Sequence, residues 1–313
     1  VVTLQYQMLV RIAIAYFIIE KKKAAPQPWQ AIAQRFCSLG IWWCDKKVRE
    51  INFLTWNTQL YEMGNSINDE QPVKKIDMLT FNIVVEKVKK FLDSKNEAVA
   101  ILQEIPFKCN IDGFKEHILF HKFLGFFPDD KYDMYYNVSS EKQIKMTVVL
   151  AKKIGSDKLI YRKKEELNNN MCVSFGIKEL DLSIIGVHPH NANELLKWLQ
   201  KSGFPDIMLG DFNAGDYKKR CEDSKFKDNR NNYRKLILEY TDICNGQKTR
   251  RMVFPNGFVY ETPIDHVLIK DSSELKKKYQ CKIVKIERNE DNVSDHYPIY
   301  FKLSCLDEAD KLH

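Results

Sequence analysis

Two short runs concentrate the chemistry of this 313-residue chain: Leu209-Gly210-Asp211-Phe212-Asn213 and Ser294-Asp295-His296-Tyr297-Pro298. In the first, apolar Ile207-Met208-Leu209 leads into an aspartate and an asparagine. In the second, an aspartate and a histidine lead into Ile299-Tyr300-Phe301. The arrangement recurs. Asn57 follows Phe53-Leu54-Thr55-Trp56, Glu104 follows Val99-Ala100-Ile101-Leu102, His188 follows Ile184-Ile185-Gly186-Val187, and Asp265 opens another apolar run. Carboxylate and amide oxygens are the hard donors that Mg²⁺ selects, and one or two carboxylates with waters and a substrate phosphate suffice to hold it. Histidines and the remaining acids supply proton transfer and phosphate contacts. Such groups set at the ends of strands, on a rigid sheet, are suited to cleaving a phosphoester. Taken singly, each is an ordinary cap or turn residue. Their ordered recurrence carries the reading.

The elements that must position them are short strands and a few helices. Strand-like runs cover 51–56, 98–102, 132–138, 146–151, 172–177, 182–187, 207–209, 264–269, 281–286 and 297–303, and Pro255-Asn256-Gly257 signals a hairpin between 252–254 and 258–260. Helical spacing appears at 81–92, through Ile83, Val84, Val88, Phe91 and Leu92, and at 193–201, through Leu195, Leu196 and Leu199. With about eleven strands and many connections too short for a crossover helix, a mixed or antiparallel two-sheet arrangement fits better than a doubly wound parallel sheet.

Composition narrows the class. Apolar and charged fractions of 44% and 29% are those of a globular protein. Of the net charge of +7, residues 1–50 hold +5, so a uniformly basic nucleic-acid-binding surface does not follow. Eight scattered cysteines without a C-x-x-C pair read as reduced, mostly buried thiols, which gives a cytoplasmic expectation. The first fifty residues stand apart. The apolar run 1–19 is interrupted by Thr3, Gln5, Gln7 and Arg11 and lacks the charge order of a signal peptide, so no integral membrane association is expected. Pro28, Trp29, Ile32, Ala33 and Phe36 have the spacing of an amphipathic helix. Residues 1–50 are therefore expected to be a helical extension of unassigned role, and 51–313 a catalytic domain.

In order and context the motifs resemble the endonuclease/exonuclease/phosphatase superfamily, the deoxyribonuclease I-like phosphoesterases. The resemblance lies in Thr55-Trp56-Asn57, Leu102-Gln103-Glu104, Gly186-Val187-His188, Gly210-Asp211-Phe212-Asn213, Pro263-Ile264-Asp265-His266 and Ser294 to Pro298, and covers about residues 51–304. It implies an α/β four-layer sandwich, two mixed β-sheets packed face to face with helices outside. It implies Mg²⁺, with Mn²⁺ as a substitute, on Glu104 with Asn57 and Asp295 as further or water-mediated ligands. Asp211 would orient and deprotonate the attacking water, and Asn213 would fix its position or the phosphate. His296, oriented by Asp265, would act as base or as cationic phosphate contact, and His188 would bind a non-bridging oxygen. One departure is Asn57-Thr58-Gln59-Leu60, which lacks the Asn-x-Asn-Gly-x-Arg start of the apurinic endonuclease branch and argues against abasic-site repair. Another is the phosphate-contacting residue of the strand at 146–151, for which Lys145, Thr147 and Asn170 are candidates. His117 and His121, four apart, have no third ligand nearby and read as surface or structural; His190, two after His188, lies beside the site or on a loop near it.

For substrate, residues 217–235 hold eight Lys/Arg against three acids, with Tyr217, Phe226 and Tyr233 interleaved, directly after the Gly-Asp-x-Asn run. Cations there, with Lys218, Lys219 and Arg220 foremost and Arg250 and Arg251 adding to them, could track a phosphate backbone. The leading expectation is a nuclease acting on DNA or RNA. A phosphatase or phosphodiesterase of a phospholipid, inositol phosphate or nucleotide is the alternative, and a non-catalytic binding module the third reading. Nothing in the sequence assigns the oligomeric state.

Overall fold

A computed structural model of the chain describes residues 50–60, 78–107, 118–138, 144–153, 158–162, 170–178, 180, 182–214, 224–288 and 293–306. The expected helical extension, apart from Glu50, lies outside the described residues. Two six-stranded sheets dominate. The first is ordered β13-β14-β1-β2-β4-β3, from β1 (Glu50–Asn57), β2 (Ala98–Pro106), β3 (Tyr132–Tyr136), β4 (Lys145–Lys152), β13 (Tyr279–Ile286) and β14 (Ile299–Cys305). The second is ordered β5-β6-β7-β8-β12-β9, from β5 (Ile160–Arg162), β6 (Cys172–Ile177), β7 (Leu182–Val187), β8 (Ile207–Asp211), β9 (Tyr240–Asp242) and β12 (Asp265–Lys270). A hairpin of β10 (Arg250–Val253) and β11 (Val259–Thr262) turns at Pro255-Asn256-Gly257, as the sequence predicts.

The strands alternate with period two, and each face has a destination. Ile51, Phe53, Val99 and Ile101 of the first sheet pack with Phe175, Ile184, Ile207, Leu209 and Val267 of the second in one buried cluster. Here the two sheets meet. Phe53 and Phe301 stack at 4.6 Å between centroids. Gly186 is required at this interface, because a Cβ there would lie 2.5 Å from Ile101 Cγ2.

The outer faces carry helices. Leu54, Trp56, Ala100 and Leu102 pack under α1 (Met78–Asp93) and α2 (Ile118–Phe126). Ile185, Val187, Met208 and Leu268 pack under α3 (Ala192–Ser202) and α4 (Ser224–Leu236). Helix α1 buries Phe81, Val84, Val85, Val88, Phe91 and Leu92, all on one face, and ends where the Ser94 hydroxyl donates to Phe91 O. In α3, Asn191 caps the Glu194 amide at 2.9 Å, and the chain leaves through Gly203 at φ 90°. A six-residue helix, α5 (Ser273–Lys278), leads into β13.

The result is the four-layer α/β sandwich the motifs imply. Among the described residues no helix is long and apolar enough to cross a membrane.

One topological feature sets up the site. Each sheet has a single parallel pair at its centre, β1 with β2 and β7 with β8, each joined through a helix on the outer face. Parallel neighbours end side by side, so Asn57 lies opposite Gln103 and Val187 opposite Gly210. Strands β14 and β12 run antiparallel to β1 and β8, which brings Asp295-His296 and Asp265, their entry points, to the same edge.

Candidate active site

The parity that buries the core also aims the site. Asn57, Asp211 and Asp265 continue the inward-facing positions of β1, β8 and β12, so their side chains extend the space between the sheets beyond its last apolar layer. Asp265 lies directly opposite Asp211. Glu104 is aimed differently. The β2–β4 register slips between Leu102 and Ile105, and Glu104 adopts φ 59° at this bulge, re-aiming its side chain. Gln59 and Asn213 are also left-handed, at φ 52° and 48°. A non-glycine residue there costs on the order of 1–3 kcal/mol, and such residues cluster where function over-determines the backbone. Gly210, at φ 136°, meets a different constraint, since a Cβ would lie 2.1 Å from Val187 O.

Asp211 is the hub. Its Oδ2 accepts from Asn57 Nδ2 at 2.9 Å and lies 3.5 Å from His188 Nε2 and 3.8 Å from His296 Nε2, and its Oδ1 accepts from the Asn213 amide at 2.8 Å. Burial pushes its carboxyl up, Asp265 adds to this, and His296, the Asn213 amide and Asn57 oppose it, leaving a pKa of about 6. For His296 burial works against the charged ring. The carboxylates outweigh it, Asp265 first and then Asp211 and Asp295, and the imidazole is pushed up to about 9. Both Asp265 oxygens lie 2.9 Å from His296 Nδ1. His188 goes the other way: burial first, then Lys145, His296 and His190, hold it well below 6.5 and neutral. Its Nε2 is 3.2 Å from Glu104 Oε1, so we assign the ring proton to that nitrogen.

The remaining groups surround this hub. Lys145 Nζ sits 2.7 Å from Glu104 Oε1. Of the other two candidates for a phosphate contact, Thr147 bonds Met171 O and Asn170 bonds Lys145 O, so both tie backbone together. Asn213 donates through its amide to Pro189 O at 2.9 Å, bracing the segment after His188. Arg250 turns inward to Asp295 Oδ2 at 2.7 Å, and Arg251 donates its backbone amide to Asp295 O. Lys218, Lys219 and Arg220 lie outside the described residues, as does His117. His190 and His121 are exposed, and the His190 amide bonds Glu194.

Several residues that position the hub have no task in the sequence reading, although Trp56, Ser294 and His266 stand inside its motifs. Trp56 Nε1 donates to His296 O at 3.0 Å, and Ser294 Oγ to Asn57 O at 2.7 Å. Gln59 Oε1 accepts the Asp295 amide at 2.9 Å. Thr249, fully buried, accepts the amides of Ile264 and Asp265 on one hydroxyl. His266 lies behind the hub, with Nδ1 2.9 Å from Asp242 Oδ2 and Nε2 2.7 Å from Ala214 O.

The donor set fits a hard divalent cation. Glu104, Asn57 and Asp295 offer oxygens from neighbouring strand ends, and among the described residues the buried Asp295 Oδ1 accepts no hydrogen bond, with His296 Nε2 3.4 Å away. Asp211, Asp265 and His296 also bring ligand atoms within 4.8 Å of one another. In that trio, however, Asp265 holds the His296 imidazole protonated, and a protonated ring has no lone pair to offer a metal.

Fold and site together are a four-layer α/β sandwich with a cluster of buried acids, amides and histidines at one edge. No family model and no curated protein matches the chain. Among solved structures, it is similar to the endonuclease domain of TRAS1, a telomere-specific non-LTR retrotransposon, at 12% identity and TM-score 0.49, over 82% of this chain and 99% of that one. It is similar to D. rerio TDP2 complexed with single strand DNA product, at 14% identity and TM-score 0.49, over 82% and 99%. A third is the 3′-5′ exonuclease NExo from Neisseria meningitidis, at 16% identity and TM-score 0.49, over 80% and 98%.

Proposed function

We propose that the chain is a divalent-metal-dependent phosphoester hydrolase, a nuclease that cleaves DNA or RNA by in-line attack of an activated water. The observation that carries this is the Asp211 hub, a buried carboxylate with a pKa of about 6 held among Asn57, His188 and a cationic His296. A carboxyl poised near neutrality is suited to taking a proton from water. Neutral His188 can donate a hydrogen bond to a non-bridging phosphate oxygen. His296, kept charged and oriented by Asp265, faces charge that grows during the reaction. Glu104, Asn57 and Asp295 would hold Mg²⁺ or Mn²⁺, which when bound neutralises developing negative charge on the phosphoryl group.

The test sets plasmid, RNA, a p-nitrophenyl phosphodiester and phospholipid vesicles against the full chain, each with Mg²⁺ or chelator. Nucleic-acid cleavage that requires metal is the expected result. Turnover of lipid alone transfers the reading to a phosphodiesterase, and inactivity on all four favours a binding module. Glu104→Gln and His296→Ala are each expected to lower the rate at least about a hundredfold. Near-wild-type turnover in either would overturn the assignment.

A further inference from the structure

On the outer face of the first sheet, a groove of about 380 Å³ runs between α1 and the β13–β14 edge, and none of the cleft residues line it. Its rim carries Lys87, Lys90 and Lys95 on one side and Lys285 on the other. Tyr300 forms part of its floor, and Glu287 is the one carboxylate among its lining residues. The rim is already arranged to hold an anion. Lys87 and Lys285, from opposite walls, each approach one Glu287 oxygen at 2.5 Å. Lys285 also lies 4.5 Å from the centre of the Tyr300 ring. Further along, Lys90 and Lys95 are exposed.

The groove leads toward the site. Asn52 lines it, and Asn57 is five residues further along the same strand, about 17 Å at roughly 3.3 Å per residue. Lys87 stands 5.5 Å from the centre of the Trp56 ring, next to Asn57.

We propose that this groove is a second phosphate-backbone site, which grips the nucleic-acid strand several nucleotides away from the bond being cut. The proposal rests on the nuclease reading for its ligand. Spaced ammonium groups beside an aromatic floor suit a phosphodiester strand, whose charges recur along its length. The site sets how substrate length affects binding, while chemistry stays in the cleft.

The test compares the full chain with Lys90→Glu/Lys95→Glu, using labelled oligonucleotides of about 6 and about 25 nucleotides, the shorter spanning the cleft alone. Both substitutions fall on exposed positions, and an unchanged denaturant-unfolding midpoint checks that the fold is kept. The expected result is at least a tenfold weaker Kd for the long strand. Its log K against log salt slope should be shallower by about 1.4, as for two lost single-strand contacts. On the short substrate kcat and KM should be unchanged. Equal loss on both lengths would overturn the proposal. So would equal loss from Lys197→Glu/Lys201→Glu on α3, where the same charge is removed from another face. Capture of anionic vesicles through Lys90 and Lys95, with oligonucleotide binding untouched, would overturn it as well. The two readings fail separately. Tight long-strand binding without cleavage under any metal sinks the nuclease, whereas cleavage with no length-dependent defect sinks the groove.

Discussion

His266 shows how one buried ring can tie together segments that lie far apart in the chain. Both ring nitrogens face oxygen acceptors, Asp242 and the Ala214 carbonyl, and Tyr233 closes on Nδ1 at 3.0 Å. Burial disfavours its charge, but the hydrogen bond and charge of Asp242 prevail and raise its pKa above 6.5. A folded-state pKa above the unfolded value stabilises fully below pH 6.5, and that stabilisation fades as pH rises through the folded value. The unfolding free-energy gap between wild type and His266→Gln, followed by urea titration, should therefore be widest in mild acid and close under alkaline conditions. A gap that grows with pH would show the ring to be neutral. Sequence places His266 in a motif but gives it no task. Its partners lie 24 and 52 positions away, beyond the reach of any local pattern. Arg250 is a similar case: the sequence offers it as a cation for the substrate backbone, and it turns inward to Asp295.

At the level of elements, much was legible because strand parity is visible in the sequence. Apolar runs ending in Asn57, Glu104, His188 and Asp211 are strands, and the parallel pairs bring those ends together. Two strands of three residues, β5 and β9, were too short to produce alternation. The bulge at Glu104 was invisible, since only pairing with β4 defines a register slip. The contact between sheets was equally hidden, and Gly186 is its sharpest point. Gly186→Val would drive new carbons into Ile101, a β-branched side chain with little rotamer freedom. We expect a loss of about 1–3 kcal/mol in denaturant unfolding, as overpacking typically gives, and recovery when Ile101→Ala is added. An additive double mutant would mean the strain lies elsewhere.

Across the whole molecule, the cleft is closed by contacts between the ends of the described chain. Trp56 and His296 are 240 positions apart, Ser294 and Asn57 are 237, and Asn57 and Asp211 are 154. Strand β1 is paired on one side by β2 and on the other by β14. Ordering chain segments this distant is slow, because loop closure must precede the contacts that reward it. On refolding from denaturant, activity should return no faster than the slowest fluorescence phase; cleavage that recovers before that phase would contradict closure by β14.

The pairing of β1 with β14 also bears on synthesis. A ribosome releases the chain from its beginning, and β14 is the last of the described strands to emerge. Until it does, β1 has only β2 beside it and the edge that Asp295 and His296 complete stays open. The cleft is thus assembled late, once the segment that carries Asp295 and His296 has been made.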